Sequence, residues 1–348
     1  MNIFQLLGLP ADHRANDKKT TQLVKHFDEV PESRKKGKRY GVQLKKDGVC
    51  AITIIRDGMA SIWSRTAKKF TNTSYLCHHI SSMNLRDGVY FGEVTCDITN
   101  MKLEKVSLEV LSGIVNPNRV KNLDVNQDYI ANNLTMNFFD MISIESFIKG
   151  SSQTSFEVRY KHLVERVYGA EVSFSREATK YVPDCVKVIN LIPMEVGQLE
   201  GALSIAVENG EEGIVIIDLD ADWVAGHKGW RKMKLVRGVD YDLLCIGYEE
   251  GTGKYLGKVA NLIFKWKGGK TIKCMLGKGW THSMAKDMFE VVISDYGKLT
   301  IPMERTVYKT LNPIGKVFQV YALEESSKGK LRLPKVGEQR HDKSEADI

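Results

Sequence analysis

Lys45, Asp47 and Gly48 stand in the stretch GVQLKKDGVC, residues 41–50. Val42 and Leu44 fall on one face of a strand and Gln43 and Lys45 on the other. Asp47-Gly48 is a hairpin-turn dipeptide, so the plain reading is a solvated hairpin. The sharper reading is a nucleophilic lysine. A lysine amine attacks phosphorus only when deprotonated, against an ordinary pKa of about 10.4. Neighbouring cations and a bound metal favour that form. Lys232 and Lys234 in WRKMK lie two apart on one strand face, and Arg65 ends the strand-like ASIWSR. Three carboxylates, Asp47, Glu93 in VYFGEV and Glu212 in EEGIVI, suit Mg²⁺, a hard cation that prefers oxygen. Cations and carboxylates outnumbering histidines is the composition a phosphoryl-transfer site needs.

The elements that must carry these residues read as follows. Alternating runs from Tyr40 to about Thr95, broken at Asp47-Gly48, Asp57-Gly58 and Asp87-Gly88, predict strands joined by hairpins. TTQLVKHFDEV reads as a helix, as do IESFIKGSS and QLEGALSIAVENG, the last stopped by Asn-Gly. EGIVIIDL and WRKMKLV read as strands. From about Asp240, YDLLCIGYEE, ANLIFKWKGGKTIKCML and GKVFQVYALEE predict about five strands with one helix in THSMAKDMFEVV, which suits a small closed barrel. The expected fold is α+β, with antiparallel sheets flanked by helices over 1–238 and an all-β barrel domain over 239–348. GTGKY, at 251–255, has the wrong spacing for a phosphate-binding loop and reads as a barrel hairpin. Adjacent Cys77-His78-His79 do not converge on an ion, and Trp63, Trp230 and Trp266 read as packing residues.

Bulk properties narrow the class. The 348 residues carry a formal net charge of +7, a basic excess that fits a phosphate-rich partner. Six cysteines without a C-x-x-C pair describe neither a disulfide framework nor a zinc ribbon, which points to a reducing, cytoplasmic setting. No stretch approaches the roughly 20 apolar residues of a membrane span.

The segments around Lys45, Arg65, Glu93, Phe138-Phe139-Asp140 (in NFFDMI), Glu212, Lys232/Lys234 and Arg340-His-Asp-Lys343 follow one another in a telling order. Together they resemble motifs I, Ia, III, IIIa, IV, V and VI of the covalent nucleotidyltransferases, and most closely the small two-domain ATP-dependent DNA ligases of bacteriophages. Each motif is short; the ordered set over about residues 40–343 is specific. The resemblance implies a nucleotidyltransferase (adenylation) domain followed by an OB-fold domain that grips DNA, with enzymes of this kind serving replication, repair and recombination. It implies that Lys45 forms the lysyl-AMP bond and that Gln43 reads the adenine edge, with Leu44 in the nucleotide-binding set. Phe139 stacks on adenine, Glu93 holds the ribose or the metal, and Glu212 holds the metal. Arg65, Lys232 and Lys234 neutralise phosphates, and Asp47 orients the 3′-hydroxyl during sealing. Arg340 and Lys343 engage the β- and γ-phosphates and then withdraw. The implied cofactors are ATP and Mg²⁺, with Mn²⁺ a substitute. The implied partner is nicked duplex DNA, handled by a monomer in the cytoplasm, the host's if the source is viral. Two positions depart from the pattern: Cys50 stands where an arginine is usual, and Ile217-Asp218 where the motif IV strand usually ends in a basic residue. An mRNA-capping guanylyltransferase shares the lysine motif and both domain types, an RNA ligase shares the first, and a non-catalytic nucleic-acid-binding scaffold is the alternative of another class.

Overall fold

The computed structural model describes residues 1–14, 20–96, 106–169, 181–277, 279–295, 312–322, 325, 329–343 and 345–348. The chain divides into two compact units, Met1–Val236 and Arg237–Ile348.

The strands of the first unit are β1 (Leu23–His26), β2 (Tyr40–Lys45), β3 (Val49–Arg56), β4 (Met59–Ser64), β5 (Gly88–Thr95), β6 (Thr135–Ile142), β7 (Ser151–Ser152), β8 (Val186–Val188), β9 (Ile192–Met194), β10 (Gly213–Asp218), β11 (Trp223–Val224) and β12 (Lys228–Val236). Its helices are α1 (Ile3–Leu6), α2 (Ser74–Ser82), α3 (Leu108–Ile114), α4 (Val125–Asn132), α5 (Ile144–Lys149), α6 (Phe156–Tyr168) and α7 (Leu199–Glu208). Two five-stranded sheets carry the unit, one ordered β1-β12-β10-β2-β9 and the other β4-β3-β5-β6-β8.

The GVQLKKDGVC stretch is not a hairpin. β2 pairs with β10 and β9, whereas β3 pairs with β4 and β5, so Asp47-Gly48 carries the chain from one sheet to the other. A Cβ at Gly48 would lie 2.4 Å from the Val94 carbonyl oxygen, so the β5 backbone leaves room only for glycine. Asp57-Gly58 does form the expected hairpin, with φ of 51° and 73° and Arg56 paired to Met59. Two consecutive positive φ values match the right-handed twist of the flanking strands. Asp87-Gly88 instead leads from the α2 region into β5, and the Asp87 carboxylate accepts from the Asp57 N–H. TTQLVKHFDEV also departs from expectation: Leu23–His26 is an extended strand in parallel register with β12, followed by a short 3₁₀ turn. Pairing along the exposed edge of a sheet outweighs the local helical pattern there.

Residue alternation decides what each sheet buries. Tyr40 and Val42 of β2 join Ile214, Ile216 and Met233 in a core closed by Leu199 and Ala206 of α7. On the other side, Phe156 of α6 packs with Ile217 and Leu219, and Leu163, Val164 and Val167 of the same helix enter the core of the second sheet. α6 therefore spans both sheets. Its apolar residues recur at intervals of three, four and seven, the helical period.

The second unit holds β13 (Val239–Glu250), β14 (Val259–Lys265), β15 (Thr271–Leu276), α8 (His282–Asp295), β16 (Val317–Ala322) and β17 (Lys335–Gln339). The strands close in the order β13-β14-β15-β17-β16, the five-stranded barrel expected for an OB fold. Leu243, Cys245, Leu262, Phe264, Cys274, Phe318 and Val336 fill its interior, with Met288 of α8 beneath. GTGKY lies in the connection between the paired strands β13 and β14.

Candidate active site

Lys45 ends β2 opposite Gly213 of β10, which sets Glu212 beside it. The Lys45 ammonium lies 2.5 Å from the Glu212 carboxylate, and the neighbouring Lys46 pairs with Glu211. Two residues back on the same face, Gln43 is 3% exposed and donates from Nε2 to the carbonyls of Phe139 and Ile189, each at 3.3 Å. Those carbonyls belong to the second sheet and its β8–β9 connection, so the bonds bridge the two sheets. Leu44 alternates onto the opposite face and is 39% exposed, which leaves its backbone, not its side chain, beside Gln43 and Lys45.

β6 supplies the other wall. Its register with β5 shifts between Phe91↔Asp140 and Gly92↔Phe138, leaving Phe139 as a bulged residue. Such a bulge re-aims a side chain. Phe138 is 0% exposed in the core, whereas Phe139 is half-buried with the Lys232 ammonium 5.1 Å from its ring centre. The same ammonium sits 5.0 Å from the Phe156 ring and bonds the Asp140 carboxylate at 2.8 Å. Arg159 of α6 grips that carboxylate from behind, Nε to Oδ1 at 2.9 Å and Nη2 to Oδ2 at 3.2 Å. Burial alone raises a carboxyl pKa, but here Arg159 and Lys232 outweigh it and hold Asp140 below the ordinary carboxylate range. Burial also lowers the Lys232 pKa, with Asp140 opposing. Lys234 follows two residues later, on the Lys232 face, in register with Val215 and His26.

Cys50 and Glu93 face each other across β3 and β5. Burial pushes the Glu93 carboxyl up to about 7; Lys45 and Arg65 oppose that shift, while Glu212 and Asp47 reinforce it. Burial likewise pushes the Cys50 thiol up to about 12, and Arg65, Lys232 and Lys45 act against it. Lys45, Asp47, Arg65, Glu93, Glu212 and Lys232 thus share one electrostatic neighbourhood. Among the described residues no three acidic, imidazole or thiol groups converge as a closed protein cage for a metal. One or two carboxylates open to phosphate oxygens is what Mg²⁺ takes instead, and Glu93 and Glu212 fit that set.

Arg340 and Lys343 lie in the second unit, where both bond Oδ2 of Asp242, at 2.6 and 2.5 Å. Arg340 also bonds Asp342, and Lys343 bonds Asp347. Of the two departures from the family pattern, Ile217 has a structural account and Cys50 has none. Ile217 is 1% exposed, packs on Phe156 and lies opposite Lys232 of β12, so a basic side chain there would be buried beside a like charge. The basic run 33–39 is engaged with its own fold: Lys38 bonds Asp218, Arg39 bonds Asp220 and Glu157, and Lys35 sits over Phe27. Sequence reading passed over Arg159 and the ionic role of Asp140. A lone aspartate inside the apolar run NFFDMI signals a buried ion, but its partner 19 residues on is fixed only by the packing of α6.

A family model described as "ATP dependent DNA ligase domain" matches residues 21–234. The chain belongs to the ATP-dependent DNA ligase family. A second model, "DNA ligase OB-like domain", matches 250–340 of this ligase-family chain. A "Probable DNA ligase" of Streptomyces coelicolor is 33% identical over 133 residues, 35% of this chain and 26% of that protein. One from Anaeromyxobacter dehalogenans is 31% identical over 100 residues, 27% of this chain and 20% of that one. The matched stretches therefore span about a quarter of those relatives. Among solved structures, Pmar-Lig_Pre. superposes with a TM-score of 0.68 at 18% identity, covering 92% of this chain and 67% of that one. A Lig E DNA ligase gives 0.61 at 16% identity, over 92% and 98%. The ligase of bacteriophage T7, in complex with ATP, gives 0.50 at 15% identity, over 93% and 100%. At these identities the structural likenesses establish the fold.

Proposed function

We propose that this chain seals nicks in duplex DNA with ATP, through an AMP carried on Lys45. The observation that carries the reading is the position of Lys45 at the end of β2, with Glu212 against its amine and Glu93, Arg65 and Lys232 in its field. The Lys45 nitrogen attacks the α-phosphorus; a nitrogen–phosphorus bond forms as the bond to pyrophosphate breaks. The AMP then passes to an oxygen of the nick 5′-phosphate, freeing the amine. Last, the 3′-hydroxyl attacks that 5′-phosphorus and AMP departs.

Each residue has a part in this scheme. Glu212, hydrogen-bonded to the ammonium, orients the Lys45 amine toward the nucleotide. Phe139, bulged from β6, offers a ring face to adenine, and Gln43, its Nε2 held by the Phe139 and Ile189 carbonyls, is assigned to the adenine edge. Lys232, Lys234 and Arg65 counter phosphate charge, where preorganised positive groups lower a barrier most. Asp47 orients the attacking hydroxyl. Arg340 and Lys343 are assigned to the departing pyrophosphate. Glu93 and Glu212 would hold Mg²⁺, which when bound neutralises phosphate charge. The chain is taken to act as a monomer. Labelled ATP and GTP, offered with nicked DNA and with all-RNA nicks, test the reading. Labelling from ATP and sealing of the DNA nick are expected, and preferential labelling from GTP would overturn it.

A further inference from the structure

Arg159 is 3% exposed, and its fork is committed on two sides. Nε and Nη2 hold both oxygens of Asp140, while Nη1 donates to the carbonyls of Thr154 and Ala221. The Thr154 carbonyl ends the turn before α6, and that of Ala221 belongs to the loop after β10. Arg159 thereby ties the helix to both sheets from behind the site. Its burial beneath Asp140 keeps it from touching a substrate. Asp140 in turn is 0% exposed, and its Oδ2 receives Lys232. A buried carboxylate held by one planar bidentate donor has little freedom to rotate.

We infer that Arg159 is a positioning residue for adenylyl transfer: it locks Asp140, and the locked carboxylate fixes the Lys232 ammonium over the Phe139 ring. The inference rests on the function proposed above. The charged and titratable groups facing Lys232 are Asp140 from β6, Arg159 from α6 and Cys50 from β3. Without Arg159, Asp140 keeps a single cation in a buried setting and its proton returns at higher pH. A protonated Asp140 accepts less strongly from Lys232, and the ammonium is then free to drift. A displacement of about 1 Å in such a site costs on the order of 10²-fold in rate.

The test compares wild type, Arg159→Met and Arg159→Lys in single-turnover formation of enzyme–AMP from ATP and Mg²⁺ across pH 5.5–9, with folding checked by circular dichroism. For Arg159→Met the rate is expected to fall roughly 30- to 100-fold at pH 8, and the deficit relative to wild type to widen toward pH 5.5 as Asp140, left with one cation in a buried setting, takes up its proton. Arg159→Lys keeps the charge without the fork: its acid limb stays near that of wild type while its rate is roughly 10-fold low. A fall in Arg159→Met by one constant factor at every pH would assign Arg159 to the fold alone and overturn the inference, as would a wild-type rate and profile. If Arg159→Met fails to fold, Arg159→Lys decides, and a full wild-type rate in that variant overturns the inference. Absence of any adduct in wild type would instead sink the functional reading, which separates the two failures.

Discussion

The inter-sheet site and the barrel each set two cations on a buried aspartate, but the cations themselves differ in exposure. Lys232 and Arg159 are 6% and 3% exposed around an Asp140 with no exposure at all. Arg340 and Lys343 keep 30% and 37% of their side-chain surface in solvent while sharing one oxygen of Asp242. Removing one partner of a buried ion pair leaves an uncompensated charge, at a cost of about 3–5 kcal/mol; Asp242 is itself buried, at 6% exposure, but it has two cations, each partly in solvent. The first arrangement is therefore a fixed frame. In the second, either cation can leave Asp242 while the other still compensates it, and Asp342 and Asp347 are alternative partners. Under the proposed function, Lys232, assigned to every step, lies in the frame, and Arg340 and Lys343, assigned to one step, lie where a second cation can stand in.

Replacement at Lys45 breaks the comparison most severely. Lys45→Ala is expected to form no adduct, at least about 10³-fold below wild type, because the substitution removes the assigned nucleophile. It still seals a nick supplied already adenylylated, since the amine's part ends when AMP leaves; gel assays of both substrates check this. Asp140→Asn probes the frame itself. It leaves Arg159 and Lys232 buried without their anion and is expected to destabilise the chain by about 3–5 kcal/mol in urea unfolding. Adenylylation should slow by about 10², while Asp342→Asn, on the exchangeable side, changes stability by less than about 1 kcal/mol.

Phe139→Leu should raise the KM for ATP roughly 10-fold, in keeping with about 1–3 kcal/mol for an aromatic stack on a base. Lys343→Ala is smaller still. Adenylylation slows about 5-fold, the urea midpoint holds, and sealing of the adenylylated nick stays near wild type, which rate measurements on the two steps will separate. The smallest effect is one of stability. Burial raises the Glu93 carboxyl to about 7, so the folded chain favours its protonated form. That penalty is absent below the ordinary carboxylate range, grows between about 4.5 and about 7 as only the unfolded chain ionises, and is constant above that. Glu93→Gln should therefore melt about 2–4 °C above wild type at pH 8, with no gap at pH 4.

Part of this candidate site was legible because its residues lie on strands with clear alternation. Alternation put Gln43 with Lys45 on one face of β2 and Lys232 with Lys234 on one face of β12, and the run from about Asp240 onward read as the barrel it forms. What was not legible is pairing at a distance. Asp47-Gly48 has the chemistry of a hairpin, yet β2 and β3 belong to different sheets, a choice made by β10 and β5 far along the chain. Leu23–His26 takes its strand form from β12, some 200 residues away. Arg159 was hidden for the same reason, since only the docking of α6 across both sheets brings it to Asp140.

The account turns on the amine of Lys45, and intact-mass measurement followed by peptide mapping tests it most directly. After incubation with ATP and Mg²⁺, the chain should gain a single AMP, located on Lys45 and removed by added pyrophosphate. A chain that gains no AMP, or carries it on a different side chain, would contradict the account.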